Sequence, residues 1–548
     1  MIRRLVLSIP LIAVAACSHA RPPQTASVVQ QGKPFDPGYA ISTAELRRDL
    51  FIFANDSFRG RETGTADAQR AAAFLAHRVQ LIGLEPAGDS LYVQRIPMAR
   101  QILTRATRLA ITTPNAWEQS LRLGTDLAPM LTYGEEQAET KRNAEAEMIF
   151  VGYGPADDAE SEALARFDLE GKVLVAIHGA PRTVKKDQAW RLESQRVLSE
   201  RLKRLIALRP AAVVLLMTGG AEPLYDQMAP GLLRTVVLDK QPNDRAADDT
   251  VSDSTRTLPM ILLGVARRGS PLVPPGWPND VTPQSLGRQL NAHLDVERRP
   301  FTGYNVVAVL RGSDPQLNKT FLAYGAHYDH VGIIAPRHSA GRRAKVDTIA
   351  NGANDGGSGS IALLAIAKQM SYLRPRRSVL FVWHVGAEKG LLGSSYFTAH
   401  PTVPIDSIVT EFSVDAIGGN ADNTLSLVGP RAAPNYLSWR VGIIVDSVNF
   451  AASTPLKIER RWDDPDDPDR AFELGDHYKY AKRAIPTLFF STRHDADYHT
   501  VSDEPRKIEY NQMARVAELM LESGFVVANR SSRPTSEVLL QSISSRQY

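Results

Sequence analysis

The sequence predicts an α/β fold: a mixed, largely parallel sheet sandwiched by helices, with a β-rich segment inserted into it. Three observations predict this. From about residue 300 onward, short apolar runs alternate with helical stretches. Those runs are continuous rather than alternately polar, the pattern of strands buried on both faces. From about 100 to 290 the pattern changes, and β-type runs dominate.

The first strand candidates of the later part are Asn305 to Leu310, Thr320 to Gly325, Ser378 to Val385 and Pro486 to Ser491. Helices are expected over Ser358 to Ser371 and Gln512 to Ala528. Strands that alternate with helices build parallel sheets covered on both faces, and ligands then sit beyond the carboxyl ends of the strands. Upstream, Ser42 to Ile82 has helical periodicity in two pieces. Thr43 is the expected cap of the first, and Ala71, Ala72, Phe74, Leu75 and Val79 form the apolar face of the second. Asp56 to Arg61 between them reads as a polar loop. In the middle of the chain, Met148 to Val151, Val173 to Ile177, Val213 to Met217 and Met260 to Leu263 read as strands, with Asp187 to Ala207 helical.

The chain has 548 residues, too many for one core, so about two domains are expected. Hydrophobic residues at 43% and charged residues at 23% are ordinary globular composition. A formal charge of +4 without a long basic run points away from a nucleic-acid partner. Arg3 and Arg4 precede an apolar run, Leu5 to Ala16, that is too short to span a bilayer as an ordinary helix. It ends in Val14-Ala15-Ala16-Cys17, which resembles a bacterial lipobox. Residues 1–17 are therefore expected to be a lipoprotein signal peptide and Cys17 a lipid-bearing membrane anchor, with export to the cell envelope. Ser18 in the next position leans by analogy towards the outer membrane. Cys17 is the one cysteine, which excludes a disulfide within the chain and a cysteine zinc site. Residues 18–36 read as a tether, 37–99 together with 300–530 as one domain, 100–299 as the insertion, and 531–548 as a flexible tail.

Five segments place His, Asp or Glu just after strands or at loop–helix junctions. GAHYDHVG carries His327 and Asp329; GANDGGSGS carries Asp355; GAEKGLLGS carries Glu388; EFSVDAIGG carries Asp415; DADYHTVSD carries Asp497, Tyr498 and His499. His327 and Asp329 are two apart, so in an extended chain they point the same way, one free to bind metal while the other orients it. Imidazole and carboxylate both suit zinc, and three clustered carboxylates without cations would repel one another. His330 and His494 lie near these residues with nothing in the sequence to fix their geometry.

The phrases YNVVAVLRGSDP, GAHYDHVG, GLLGSSYF and DYHTVSD resemble metallopeptidase family 28, which includes bacterial leucyl aminopeptidases and glutamate carboxypeptidase II. FVGYGP and DLEGKVLV resemble the protease-associated domain inserted into many such enzymes. The resemblance implies a zinc aminopeptidase fold, two zinc ions per chain and peptide substrates. It implies that His327 and Asp415 bind one zinc, that Glu388 and His499 bind the other, and that Asp355 bridges them. It further implies that Asp329 orients His327 and that Tyr498 meets the developing oxyanion, with Gly475-Asp476-His477 near the substrate. One departure stands against these matches. The family pattern is Gly-Glu-Glu-x-Gly-Leu-Leu-Gly-Ser, its first Glu the general base; Ala387 stands in that place here. General bases contribute roughly 10²–10⁴-fold in rate. The expectation is a peptide hydrolase with impaired turnover, or alternatively a zinc-binding pseudopeptidase that binds peptides or partners. A cyclisation such as glutaminyl cyclases perform is the weaker rival. His384 is the first substitute base to consider. The acidic run Asp463, Asp464, Asp466, Asp467 and Asp469 reads as a solvated loop or, less simply, as a cleft wall that holds a substrate amine.

Overall fold

The computed structural model describes residues 40–534, apart from internal stretches of which 156–163, 240–257 and 335–346 are the longest. The signal-peptide and tether readings, including Cys17, lie outside the described residues, as do His494, Asp469 and the tail beyond 534. Among the described residues no helix is long and apolar enough to cross a membrane.

Two large sheets dominate residues 40–534. The first has ten strands. Its centre is four parallel strands in the order Ser378–His384, Phe321–His327, Ile408–Val414 and Thr487–Ser491. Antiparallel pairing takes over on both flanks. Val296–Leu310, Val93–Leu103 and Arg234–Leu238 extend one side, and Thr424–Val428 extends the other. Lys457–Glu459 pairs parallel with Thr424–Val428 at that far edge, so the site lies on the one block of four adjacent parallel strands.

Alternation explains the unbroken apolar runs. Phe321 and Ala323 face one layer and pack with Phe397 and Tyr480. Tyr324 faces the other, where its hydroxyl donates to the Met520 carbonyl at 2.8 Å. The helices Gly359–Leu373 and Tyr510–Asn529 cover that second face. The first helix is Thr43–Phe53, capped by Ser42 rather than Thr43: the Ser42 hydroxyl accepts from the Glu45 amide at 3.3 Å. Thr65 caps the second helix, Ala66–Ile82, in the same way.

The second sheet has eight strands, running in sequence from Arg108–Thr112 to Gln284–His293. Its core strand Val173–His178 again splits by alternation, Val173, Val175 and Ile177 on one side and Leu174 and Ala176 on the other. One strand from the same stretch of chain, Arg234–Leu238, pairs instead with Val93–Leu103 in the first sheet and packs near the turn Ala387–Lys389.

Candidate metal centre

The carboxyl ends of the four parallel strands carry the chemistry. His327 ends its strand, Asp415 follows Val414, the turn Ala387–Lys389 follows His384, and Tyr498 and His499 follow the strand Thr487–Ser491. Asp355 lies in the irregular turn Ala353–Ser358 that leads into the helix Gly359–Leu373. Two glycines permit this crowding. Gly352 has φ 57°, and a Cβ there would sit 2.4 Å from the His330 ring. Gly356 has φ 73°, and a Cβ there would sit 2.9 Å from His327.

The side chains converge in two groups that share Asp355: His327, Asp355 and Asp415, and His330, Asp355, Glu388 and His499. His327 Nε2 lies 3.3 Å from Asp355 Oδ1 and 3.3 Å from Asp415 Oδ1. His499 Nε2 lies 3.1 Å from Asp355 Oδ2 and 3.1 Å from Glu388 Oε2. His330 Nδ1 is 3.1 Å from Glu388 Oε1 and 3.4 Å from Asp355 Oδ2. Ligands about 2.0–2.1 Å from a tetrahedral zinc stand roughly 3.3 Å from one another, so these spacings fit a cation in each group. Asp355 Oδ2 and His499 Nε2 are buried and close, yet not aligned to hydrogen-bond with each other or with another group, as atoms kept for a metal would be. His499 also holds φ at 55°, a sparsely populated conformation for a side chain of its size.

The electrostatics agree. Burial alone would lower the pKa of His499, but Glu388 and Asp355 outweigh it and raise it to about 11. His330 is raised to about 9: burial opposes, and Asp355 and Glu388 prevail. Burial works to raise Asp355 and Glu388, yet the histidines around them hold both well below the usual carboxylate range. Protons on the imidazoles occupy the electrostatic role that cations would fill.

His330 is the residue that sequence reasoning left without a place. It is fully buried and joins the group that was expected to contain only Asp355, Glu388 and His499. Asp329 differs from expectation in how it acts. His327 Nδ1 donates to the Asp329 main-chain oxygen at 3.0 Å, while the carboxylate stands 3.9 Å away. That carboxylate is engaged elsewhere, accepting from Thr63 Oγ1 at 2.7 Å and from the Ala387 amide at 3.2 Å. The bond to the carbonyl fixes the proton on Nδ1 and leaves Nε2 for metal.

The polar segment Asp56–Arg61 is exposed at Asp56, Ser57 and Arg59 but ends inside the protein. Arg61 is fully buried, and its guanidinium donates to the carbonyls of Phe53, Tyr328, Asn351 and Gly352 at 2.7–3.2 Å. It ties together the two segments that carry His327, His330 and Asp355. Asp503 adds a second brace, accepting from the amides of Asn354 and Asp355 at 2.7 and 3.1 Å.

A cavity of about 380 Å³ opens over the centre, lined by His327, Asp355, Glu388, Asp415, Tyr498, Ala387 and Asp476, with Trp462, Leu474 and Phe489 as apolar wall. Tyr498 stacks on His499 with ring centroids 3.8 Å apart, and burial followed by the nearby carboxylates keeps its hydroxyl protonated. His384 does not reach the cavity. It is fully buried against Phe397 and Tyr480, 3.1 Å from the Tyr480 hydroxyl, and burial lowers its pKa to about 4. The chain leaves its strand at His384 and turns, so alternation does not carry on to Ala387. Asp463 is also internal, accepting from the amides of Gly429, Arg431 and Ala432 at 2.8–3.0 Å, and Asp467 accepts from Ala471.

The sequence model of peptidase family M28 matches residues 305–524. Over 107 residues the chain is 36% identical to a probable leucine aminopeptidase 2 of Aspergillus oryzae, covering 20% of this chain and 18% of that one. Over 108 residues it is 32% identical to aminopeptidase Y of Saccharomyces cerevisiae, covering 20% and 17%. The matched region thus spans less than a fifth of either relative. An aminopeptidase from Aneurinibacillus sp. strain AM-1 shares the fold, with a TM-score of 0.55 at 15% identity over 90% of this chain and 95% of that one.

Proposed function

The chain belongs to peptidase family M28 through residues 305–524, and from that premise we propose that it is a zinc-dependent exopeptidase that removes N-terminal residues from peptides, at a reduced rate. The observation that carries the reading is the pair of ligand groups sharing Asp355 on the floor of a cavity. His327, Asp355 and Asp415 would hold one zinc; Asp355, Glu388 and His499, joined by His330, would hold a second. Bound zinc supplies Lewis-acid polarisation of a carbonyl and acidification of water.

The chain's own residues supply the rest. The protonated Tyr498 hydroxyl, on the cavity wall, donates to a developing oxyanion. The wall of Trp462, Leu474 and Phe489 gives an apolar side chain somewhere to lie and excludes water from it. Ala387 lines the same cavity and accepts no proton, which is why the rate is reduced. That same residue favours the second reading, a pseudopeptidase that holds metal and peptide without turnover.

One experiment separates them. Zinc-loaded protein is assayed on aminoacyl-nitroanilides beside Ala387→Glu. The expected outcome is slow hydrolysis by the natural chain and a rise in kcat of about 10²-fold or more in the variant. A variant that stays inert with metal bound would leave only the binding reading. The second sheet is read as the protease-associated insertion and Cys17 as a lipid anchor. Retention of Cys17→Ser in the membrane fraction with unchanged processing would dismiss the anchor.

A further inference from the structure

Ala387 cannot take a proton, so turnover above what metal-acidified water alone supports calls for another acceptor on the cavity wall. Three of the carboxylates there are ligands: Asp355, Glu388 and Asp415. Among the described residues the remaining carboxylate that lines the cavity is Asp476, which belongs to neither ligand group.

Asp476 is 4% exposed. Its Oδ1 accepts from Ser394 Oγ at 2.5 Å, and Ser394 lies in the helix Leu392–Ala399 that follows the turn carrying Ala387. One carboxylate oxygen is thus anchored to the segment where the base is missing. The groups that feel its charge from behind do not compete for the role. Glu411 is fully buried, and burial together with Asp476 keeps it protonated. Tyr480 is held protonated chiefly by burial. His384 meets Tyr480 and does not line the cavity.

We propose that Asp476 is the proton acceptor of this chain, working through one water in the space that the short Ala387 side chain leaves in the cavity. This rests on the peptidase reading above. The attacking water loses a proton through the relay water to the Asp476 carboxylate while its oxygen bonds to the scissile carbonyl carbon. When the C–N bond breaks, Asp476 returns that proton to the leaving amine and is again a carboxylate. The sum is peptide plus water giving an amino acid and a shorter peptide. A relay through one water lies within the reach of general-base catalysis.

The test compares four zinc-loaded full-length proteins on leucyl-nitroanilide: the natural chain, Asp476→Asn, Ala387→Glu and the double variant, each with its zinc content measured. Asparagine keeps an acceptor for Ser394 and removes the base. In the natural background Asp476→Asn should lower kcat/KM by about 10²-fold. In the Ala387→Glu background the same change should cost at least ten times less. Asp476→Glu, which keeps an acceptor, should retain clearly more kcat/KM than Asp476→Asn in the natural background. Equal losses in both backgrounds, or equal losses for Asp476→Glu and Asp476→Asn, would make Asp476 a structural residue and overturn the proposal. A natural chain that is inert beside an active Ala387→Glu variant would overturn it and leave the peptidase reading intact. Inertness of both with metal bound would remove the two together.

Discussion

Replacing Arg61 with methionine tests whether a buried guanidinium, rather than the metal alone, shapes the ligand loops. Arg61 is fully buried and satisfies four main-chain carbonyls, at Phe53, Tyr328, Asn351 and Gly352. Each orphaned acceptor costs about 1 kcal/mol or more, roughly 4 kcal/mol together. Methionine also removes the cost of burying a charge, so the net loss should be about 2–4 kcal/mol. Burial lowers the Arg61 pKa to about 10, opposed by Asp503, Asp355, Asp329 and Glu388, so it remains a cation at neutral pH. It therefore offsets the carboxylates before metal arrives, and because its loss should also weaken zinc binding, the loaded protein should be destabilised by about 1–3 kcal/mol more than the metal-free one. Urea unfolding with and without zinc measures both numbers. Zinc affinity should fall about 10- to 100-fold, as it does when groups that orient ligands are removed. Lysine should not rescue it, because an ammonium lacks the planar fork that reaches carbonyls on three segments. Unfolding within about 0.5 kcal/mol of the natural chain, with unchanged zinc affinity, would refute the reasoning.

Two further outcomes are expected. His178 is fully buried, and Arg201 donates to its Nδ1 at 3.0 Å; burial and then the Arg201 charge lower its pKa from 6.5 to about 4. Because the folded pKa is depressed, the unfolded chain binds the extra proton. The contribution is complete above about pH 6.5 and lost as pH falls towards 4, at most about 3 kcal/mol. His178→Asn should flatten that part of the urea-midpoint profile between pH 7 and 4.5, and a parallel profile would count against it. His330→Ala should weaken metal binding in equilibrium dialysis by about tenfold or more, and unchanged affinity would reduce His330 to a packing residue.

The sheet and most of the site were legible because their signals are local. A strand buried on both faces is a continuous apolar run, and each expected ligand stood just past such a run or at the mouth of a helix. What escaped depends on partners far away in sequence. Arg61 looks like part of a polar loop until the carbonyls of Tyr328, Asn351 and Gly352 are folded around it. His330 joins a ligand group because Gly352 lets the backbone pass against its ring, an approach no spacing rule encodes. Asp463 sits in a run of aspartates that reads as solvated, yet three amides of a distant turn take its carboxylate inside. The strand Arg234–Leu238 reads as part of the insertion by position alone; its pairing with Val93–Leu103 is a tertiary choice.

Position 387 is also where the cavity loses a carboxylate at least cost to the fold. Deleting Asp355 would take one of two carboxylate partners from His327, His330 and His499 at once, since all three lie within 3.4 Å of its oxygens. Deleting Asp415 would strip Gly356 of the acceptor for its amide, which sits 2.9 Å from Asp415 Oδ1. Deleting Glu388 would leave His330 and His499 facing each other with one fewer counter-charge. At 387 the structural contact is made by the main chain: the amide donates to Asp329 Oδ1 whatever the side chain is, and the side chain itself faces the cavity. A base there contributes to the barrier of the reaction and little to the stability of the resting protein. The metal-holding set and the proton-accepting group are therefore energetically separable, and an alanine at 387 is compatible with a complete ligand constellation in a way that an alanine at any of the ligand positions would not be.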